Sequence, residues 1–138
     1  MHVPEFSISL NLGVTISRRL KESDVVALGG VEATDMGNGY VCYRLPVVTI
    51  EDAGVSFILY FNKGVMESVT VRARSSETHA GGWSDWSEEE EKRCAEYTSA
   101  WLLKAGCPPG QYSWGEVWAG YDTKGASGYG VIRYAANV

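Results

Sequence analysis

The most reactive side chains of this sequence are two histidines and three cysteines, and their spacing does not form a recognisable site. They are His2, His79, Cys42, Cys94 and Cys107. Zinc sites use ligand pairs at short, regular spacing, which these positions lack. A nucleophile–histidine–acid triad would have to use His79, because His2 lies where a chain end is expected to fray, and no nucleophile elbow accompanies it. We therefore predict no metal site, no cofactor and no catalytic residues, and we favour a protein that is not an enzyme.

A second candidate is the stretch "VRARSSETHAGGWSDWSEEEEKRC", residues 71–94. It runs from a strand-like segment through Trp83 and Trp86 into four consecutive glutamates. Ser87 followed by Glu90 is the capping-box pattern, and carboxylates in a first helical turn favour the positive end of the helix dipole. The pattern predicts a helix start. The two tryptophans either pack over it or form an exposed binding surface.

The same stretch resembles the W-S-x-W-S box of class I cytokine receptors. In that family two tryptophans stack between arginines of a neighbouring strand. The matching residues here are Arg72, Arg74, Trp83 and Trp86. Guanidinium planes lie well on indole faces, so the stacking is physically reasonable. The resemblance ends at Ser87, where a helix is predicted and the receptor domain continues into a strand. We therefore interpret the box as the entry to a helix and not as a receptor module. It is local stacking chemistry if Trp83 and Trp86 are buried beside the two arginines, and a candidate binding surface if they are exposed.

The aromatic residues near the C-terminus form the other candidate site. The segments "QYSWGEVWAGYD" and "SGYGVIRYA", joined by "TKGA", predict an antiparallel hairpin. A turn centred on residues 124–125 fixes the register of the two strands. The facing pairs are Trp118 with Val131, Glu116 with Arg133, and Trp114 with Ala135.

Two interpretations of this hairpin stay open. In the first, one strand face belongs to the core, and it carries Tyr112, Trp114, Glu116 and Trp118. In the second, the face of small residues lets the predicted helix approach closely, which leaves the tryptophans toward solvent as interface anchors. The core interpretation is favoured for at least one of Trp114 and Trp118, because two fully exposed tryptophans are uncommon outside interfaces.

The elements that position these residues follow from hydrophobic periodicity. The predicted strands are 6–16, 40–50, 55–61, 65–74, 111–122 and 127–135, and the predicted helices are 18–28 and 87–105. Residues 31–39 are predicted to be a loop, and Pro46 makes its strand an edge or bends it. The order β-α-β-β-β-α-β-β predicts a single α+β domain, 1–138, with an antiparallel sheet and helices packed on one face.

Composition limits the classes of partner. The 138-residue chain has a net charge of −5, which argues against nucleic acid. No apolar run is long enough to span a bilayer, so no membrane partner is expected. Three cysteines without a C-x-x-C pair fit reduced thiols in the cytoplasm.

In size, charge and aromatic content the chain resembles small acidic bacterial immunity proteins, which neutralise protein toxins. The resemblance implies a cytoplasmic, non-enzymatic binding protein, and the acidic charge suggests a basic protein partner. The predicted partner-binding residues are Trp83, Asp85, Trp86, Glu88, Glu89, Trp114, Glu116, Trp118, Tyr121 and Asp122.

Two alternatives belong to other functional classes. One is a small-molecule-binding module or enzyme with an aromatic-lined pocket, which a cavity lined by Trp114, Trp118 and Glu116 would support. The other is a self-associating structural subunit, such as a homodimer paired through the glycine-rich final hairpin.

Overall fold

A computed structural model describes residues 3–75 and 87–135 of the chain. The helices are α1 (Glu22–Val26) and α2 (Glu88–Lys104). The strands are β1 (Ile8–Ser9), β2 (Thr15–Ile16), β3 (Glu32–Gly37), β4 (Tyr40–Arg44), β5 (Val48–Ile50), β6 (Ala53–Asn62), β7 (Val65–Ser75), β8 (Gly110–Tyr112), β9 (Gly115–Asp122) and β10 (Ser127–Tyr134). The α+β class is confirmed, whereas the predicted order of strands matches only roughly.

One antiparallel sheet contains every strand except β1 and β2, which pair with each other. Its order is β3-β4-β6-β7-β10-β9-β8, with β5 paired to β6. The long β6–β7 hairpin is central, and its turn uses Lys63 and Gly64 at φ of 51° and 83°. Two residues with positive φ give a turn whose twist matches that of the strands. The hairpin predicted at residues 62–64 is thereby confirmed.

The core lies on one face of this sheet. Alternate residues of β6 are fully buried, from Ala53 to Phe61, and the residues between them are half-buried. The buried face is covered by α2, by α1 through Val25, and by the N-terminal segment through Phe6. The opposite face, which we call the open face, is not covered by any described element.

Helix α2 starts and ends where its sequence signals predict. The Ser87 hydroxyl oxygen accepts a hydrogen bond from the Glu90 backbone N–H at 3.0 Å. At the other end Gly106 has φ of 90°, and the N–H of Cys107 bonds to the carbonyl of Leu102 at 2.9 Å. A left-handed glycine with this bond is a Schellman end. The prediction of a helix at 87–105 is confirmed within a residue at each end.

The N-terminal segment corrects the prediction of one strand at 6–16. Burial alternates as predicted, with Phe6, Leu10 and Ile16 buried. The chain nevertheless folds back at Gly13, where φ is 98°, so only β1 and β2 pair. Periodicity identifies the buried side chains, but a narrow hairpin can carry the same alternation as a continuous strand.

The prediction that residues 31–39 form a loop is wrong, because they contain strand β3. Every residue of β3 is exposed, so no apolar alternation marks it in the sequence. Its pairing with β4 is fixed by a turn at Asn38 and Gly39, whose φ values are 57° and 86°. An Asn-Gly pair with positive φ is a strong hairpin signal.

Two more elements are shorter than predicted. The strand at 40–50 is interrupted around Pro46 into β4 and β5, which both pair with β6, so the predicted bend is confirmed. The helix predicted at 18–28 is limited to α1, and its thin apolar face buries Leu20 and Val25.

Candidate functional site

The candidate site is a groove on the open face of the β9–β10 hairpin. The two strands pair in the predicted register, with Trp118 opposite Val131 and Glu116 opposite Arg133. The groove has a volume of about 490 Å³. Residues that line it include Glu116, Trp118, Tyr121, Asp122, Tyr129 and Arg133. Four of the predicted partner-binding residues therefore lie together.

Trp118 is the most exposed aromatic residue that lines the groove, with 43% of its surface accessible. Its indole lies over Gly120, where an added Cβ would stand 3.1 Å from Trp118 Cζ2. The ring of Tyr129 lies 5.3 Å away, centroid to centroid. Covering a strand glycine with an aromatic ring supports the sheet. The indole is thus held in place while much of it stays in solvent.

A hydrogen-bonded acid borders the aromatic pair. The Tyr129 hydroxyl donates to Asp122 Oδ2 at 3.0 Å, and the Lys124 N–H donates to Asp122 Oδ1 at 2.9 Å. The backbone N–H of Gly125 and the Tyr129 hydroxyl lower the pKa of Asp122. Burial and the Asp122 hydrogen bond raise the pKa of Tyr129. Near neutral pH the groove therefore presents an ionised carboxylate beside a neutral phenol.

The opposite face of the hairpin explains why Trp118 points to solvent. An added Cβ at Gly128 would stand 2.0 Å from the Glu91 carbonyl oxygen, and one at Gly130 would stand 2.9 Å from Leu102 Cδ1. These glycines let α2 approach the sheet closely. The small-residue interpretation is therefore correct about the position of Trp118, which faces solvent.

Trp114 does not belong with the exposed residues among the predicted partner-binding set, because only 2% of its surface is exposed. The predicted strand 111–122 reverses at residues 113–114, so Tyr112 of β8 pairs with Gly115 of β9. We had predicted that Trp114 shares a strand face with Glu116 and Trp118. This prediction is wrong, because the chain reverses before Gly115. The Trp114 indole Nε1 donates to the Val3 carbonyl at 2.9 Å and ties down the N-terminal segment. The core interpretation is correct for this residue, and no described cavity combines it with Trp118.

The predicted acidic residues of α2 do not line the groove. Glu88 pairs with Lys92 at 3.6 Å, and Glu89 pairs with Arg93 at 3.5 Å. The ring of Tyr121 lies 5.6 Å from Lys92 Nζ, so this side chain also approaches the helix. Of the predicted partner-binding residues that the structure describes, Glu116, Trp118, Tyr121 and Asp122 line the groove, whereas Glu88, Glu89 and Trp114 do not. Trp83, Asp85, Trp86, His2 and His79 lie outside the described residues.

Sequence reasoning missed an ion-pair cluster centred on Glu91, which is only 5% exposed. Its carboxylate accepts hydrogen bonds from Arg72 Nη2 at 2.8 and 3.1 Å and from Arg74 Nη2 at 3.2 Å. The backbone N–H of Gly128 donates to it at 3.1 Å. We had assigned Glu91 only to the first turn of the helix. Its position three residues before Cys94 and seven before Thr98, on the buried stripe, was the signal that it points inward.

The cluster fills a gap in the sheet. Strands β7 and β10 pair only between residues 68–71 and 130–133. Beyond this point the N–H of Ala73 donates to Thr98 Oγ1 at 3.0 Å, and the Cys94 thiol donates to the Ala73 carbonyl at 3.6 Å. Side chains of α2 thus satisfy backbone groups that a strand partner would otherwise satisfy. The arrangement is structural and fastens the helix to two strands.

Comparisons with known proteins assign neither a family nor a function to the chain. No protein-family model matches the sequence, and no similar chain is found among curated proteins or solved structures. Within residues 3–75 and 87–135, no three acidic, histidine or cysteine side chains are grouped to hold a metal ion. None of the helices described there is long and apolar enough to cross a membrane.

Proposed function

We propose that this protein is a non-enzymatic binding protein of the immunity type, which acts in the bacterial cytoplasm by binding and neutralising a protein toxin. The observation that carries the proposal is the Trp118–Tyr129 pair. It packs on Gly120 on the open face and is accessible to a partner. Tryptophan and tyrosine dominate binding energy at protein interfaces because they bury a large, rigid surface.

The strand edge beside this pair offers a second mode of contact. β8 pairs with β9 only as far as Val117. Residues 118–122 therefore have a strand partner on the β10 side and none on the other side among the described residues. Open strand edges present main-chain donors and acceptors that a partner strand can use. A partner on this surface would meet both aromatic anchors and an unpaired edge.

The charges of the groove modify the expectation of a basic partner. Glu116 and Asp122 are balanced by Arg133 and Lys124, and Glu116 pairs with Arg133 at 2.7 Å. The groove itself is thus close to neutral. In this proposal the net charge of −5 steers a basic partner from a distance. The aromatic contacts then determine how tightly it is held.

The proposal is tested by affinity capture from extracts of the source organism. Wild-type protein, Trp118→Ala and Leu103→Ala serve as baits. Leu103 is the matched control because it is 62% exposed and lies on α2, away from the groove. We expect one protein to be captured by the wild type and by Leu103→Ala, and to be lost with Trp118→Ala.

The function of the captured protein is then tested by co-expression. If it is a toxin, the wild type restores growth of cells that produce it and Trp118→Ala does not. Capture of no protein, or equal capture by all three baits, contradicts the proposed surface. Capture of a harmless protein through Trp118 would support a binding role and contradict the immunity class.

A further inference from the structure

A second groove lies on the helix side of the sheet, away from Trp118. It has a volume of about 460 Å³ and follows the seam between the N-terminal segment, the β5–β6 turn and the last turns of α2. This volume falls within the range of small-molecule sites, roughly 300–1,000 Å³. The groove exists because the N-terminal segment and α2 both cover the sheet here and do not meet completely.

One wall of this seam groove is apolar and aromatic. Trp101 of α2 is half-buried and contacts Phe57 edge-on, with ring centroids 6.2 Å apart. Its remaining surface lines the groove together with Phe6, Ile8 and Ile50. Such a wall favours a flat aromatic or aliphatic body.

The other wall carries an unequal set of charges. Glu51 and Asp52 form the turn between β5 and β6, and Lys104 of α2 faces them. Lys104 Nζ forms an ion pair with Glu51 at 3.0 Å, and these two acids together raise the pKa of the Lys104 ammonium, Glu51 most strongly. No described side chain forms an ion pair with Asp52. The three charges therefore sum to −1 beside an aromatic surface.

We propose that the seam groove binds a small organic monocation with a flat apolar body. The ring lies against Trp101 and Ile50, and the ammonium group is placed at Asp52. The cation also benefits from the electron-rich face of the indole. A neutral analogue keeps the apolar contact and loses the ionic one, and an anionic analogue is repelled. This site is independent of the proposed protein-binding surface, since the two lie on opposite faces of the sheet.

The probes are tryptamine, its neutral analogue tryptophol and its anionic analogue indole-3-propionate. Amide chemical shifts of the ¹⁵N-labelled protein are followed by NMR during each titration. We expect tryptamine at millimolar concentration to shift amides of residues 50–53 and 97–105. Tryptophol is expected to bind about fivefold more weakly, as one exposed charge pair is worth up to about 1 kcal/mol.

Two variants locate the site. Asp52→Asn should weaken tryptamine binding about fivefold and leave tryptophol binding unchanged, whereas Glu32→Gln, an equal charge change on the exposed edge strand β3, should alter neither. Ala100→Leu fills the groove from α2 with a good helix former and should abolish binding of both. Equal affinity for tryptamine and tryptophol would overturn the proposal, as would shifts that map elsewhere or no shifts in the folded wild type.

Discussion

Glu91 has more contacts with distant parts of the chain than its place in an acidic run would indicate. It joins α2 to Arg72 and Arg74 of β7 and to the backbone of β10. A buried carboxylate is tolerated only when its partners replace the lost water. The two arginines and one N–H do so here, and each arginine keeps about a third of its side-chain surface exposed.

Replacing Glu91 should therefore cost far more than replacing its neighbours. Glu91→Gln leaves two guanidinium groups without a counter-charge, and we expect the free energy of unfolding to fall by about 2 kcal/mol. Glu89→Gln removes an exposed i,i+4 pair and should change it by less than about 0.5 kcal/mol. Urea denaturation of both variants and the wild type measures this difference. Equal stabilities of the two variants would show that the cluster does not fasten the helix.

Tyr43 makes the free energy of unfolding depend on pH in the alkaline range. Its hydroxyl donates to Glu22 Oε2 at 2.5 Å, and this bond, with burial, raises the pKa of Tyr43 to about 12. The unfolded chain loses this proton near pH 10, as an ordinary tyrosine does. The contribution of Tyr43 is therefore complete below pH 10 and is lost as the pH rises through 12.

Tyr43→Phe should remove that part of the pH dependence. At pH 7 we expect the variant to be less stable by about 1–2 kcal/mol, because a hydrogen bond to a charged acceptor is lost. Between pH 10 and 12 the difference from the wild type should shrink. Thermal denaturation across this range tests the expectation, with Tyr121→Phe on the final hairpin as control. A constant difference at all pH values would contradict it.

For single residues, the sequence predicted the helix-capping signal, but it predicted only in part which side chains are buried. The Ser87 cap follows from local chemistry alone and was predictable. The inward direction of Glu91 depends on partners that are 17 and 19 residues away in the sequence. The two environments of Trp114 and Trp118 depend on a chain reversal at residues 113–114 that no glycine or proline marks inside the turn.

At the level of elements, α2 takes the place of a strand beside part of β7. The pairing of β7 with β10 ends at the Val71–Gly130 pair. Beyond it, towards the start of β10, helix side chains occupy the gap. The close contact requires Gly128, because an added Cβ there would meet both the Glu91 carbonyl and the Ala95 backbone nitrogen. Backbone atoms cannot rotate away as a side chain can, so the helix or the strand would have to shift.

Gly128→Ala should therefore destabilise the protein strongly. We expect a loss of about 3 kcal/mol from overpacking against the helix backbone. Gly29→Ala is the matched control, since nothing lies within 4 Å of its added Cβ. The control should be neutral or slightly stabilising. Chemical denaturation measures both, and a neutral Gly128→Ala would show that α2 is not held this closely.

The elements themselves were predictable to different degrees. The β6–β7 hairpin, α2 and the register of β9 with β10 follow from turn residues and periodicity that local sequence carries. Strand β3 was missed because an exposed edge strand has no buried side to produce alternation. The pairing of β10 with β7 joins residues about 60 positions apart, which local patterns do not encode.

For the whole molecule, the sheet separates two surfaces with different chemistry. The open face carries the Trp118–Tyr129 pair, and the helix side carries the seam groove between Trp101 and Asp52. The glycine-rich final hairpin has less freedom for self-association than we had expected, because β10 is paired on both sides along Gly130–Arg133. Within that hairpin, residues 118–122 of β9 have a strand partner on the β10 side and none on the other among the described strands.

The measurement that tests the central claim most directly is the affinity of the captured partner for the wild type and for Trp118→Ala. If Trp118 is the anchor of the open face, its removal should weaken binding about 30-fold, which corresponds to about 2 kcal/mol. Leu103→Ala should bind as the wild type does. Equal affinity of the wild type and Trp118→Ala, with both proteins folded, would contradict the proposed surface.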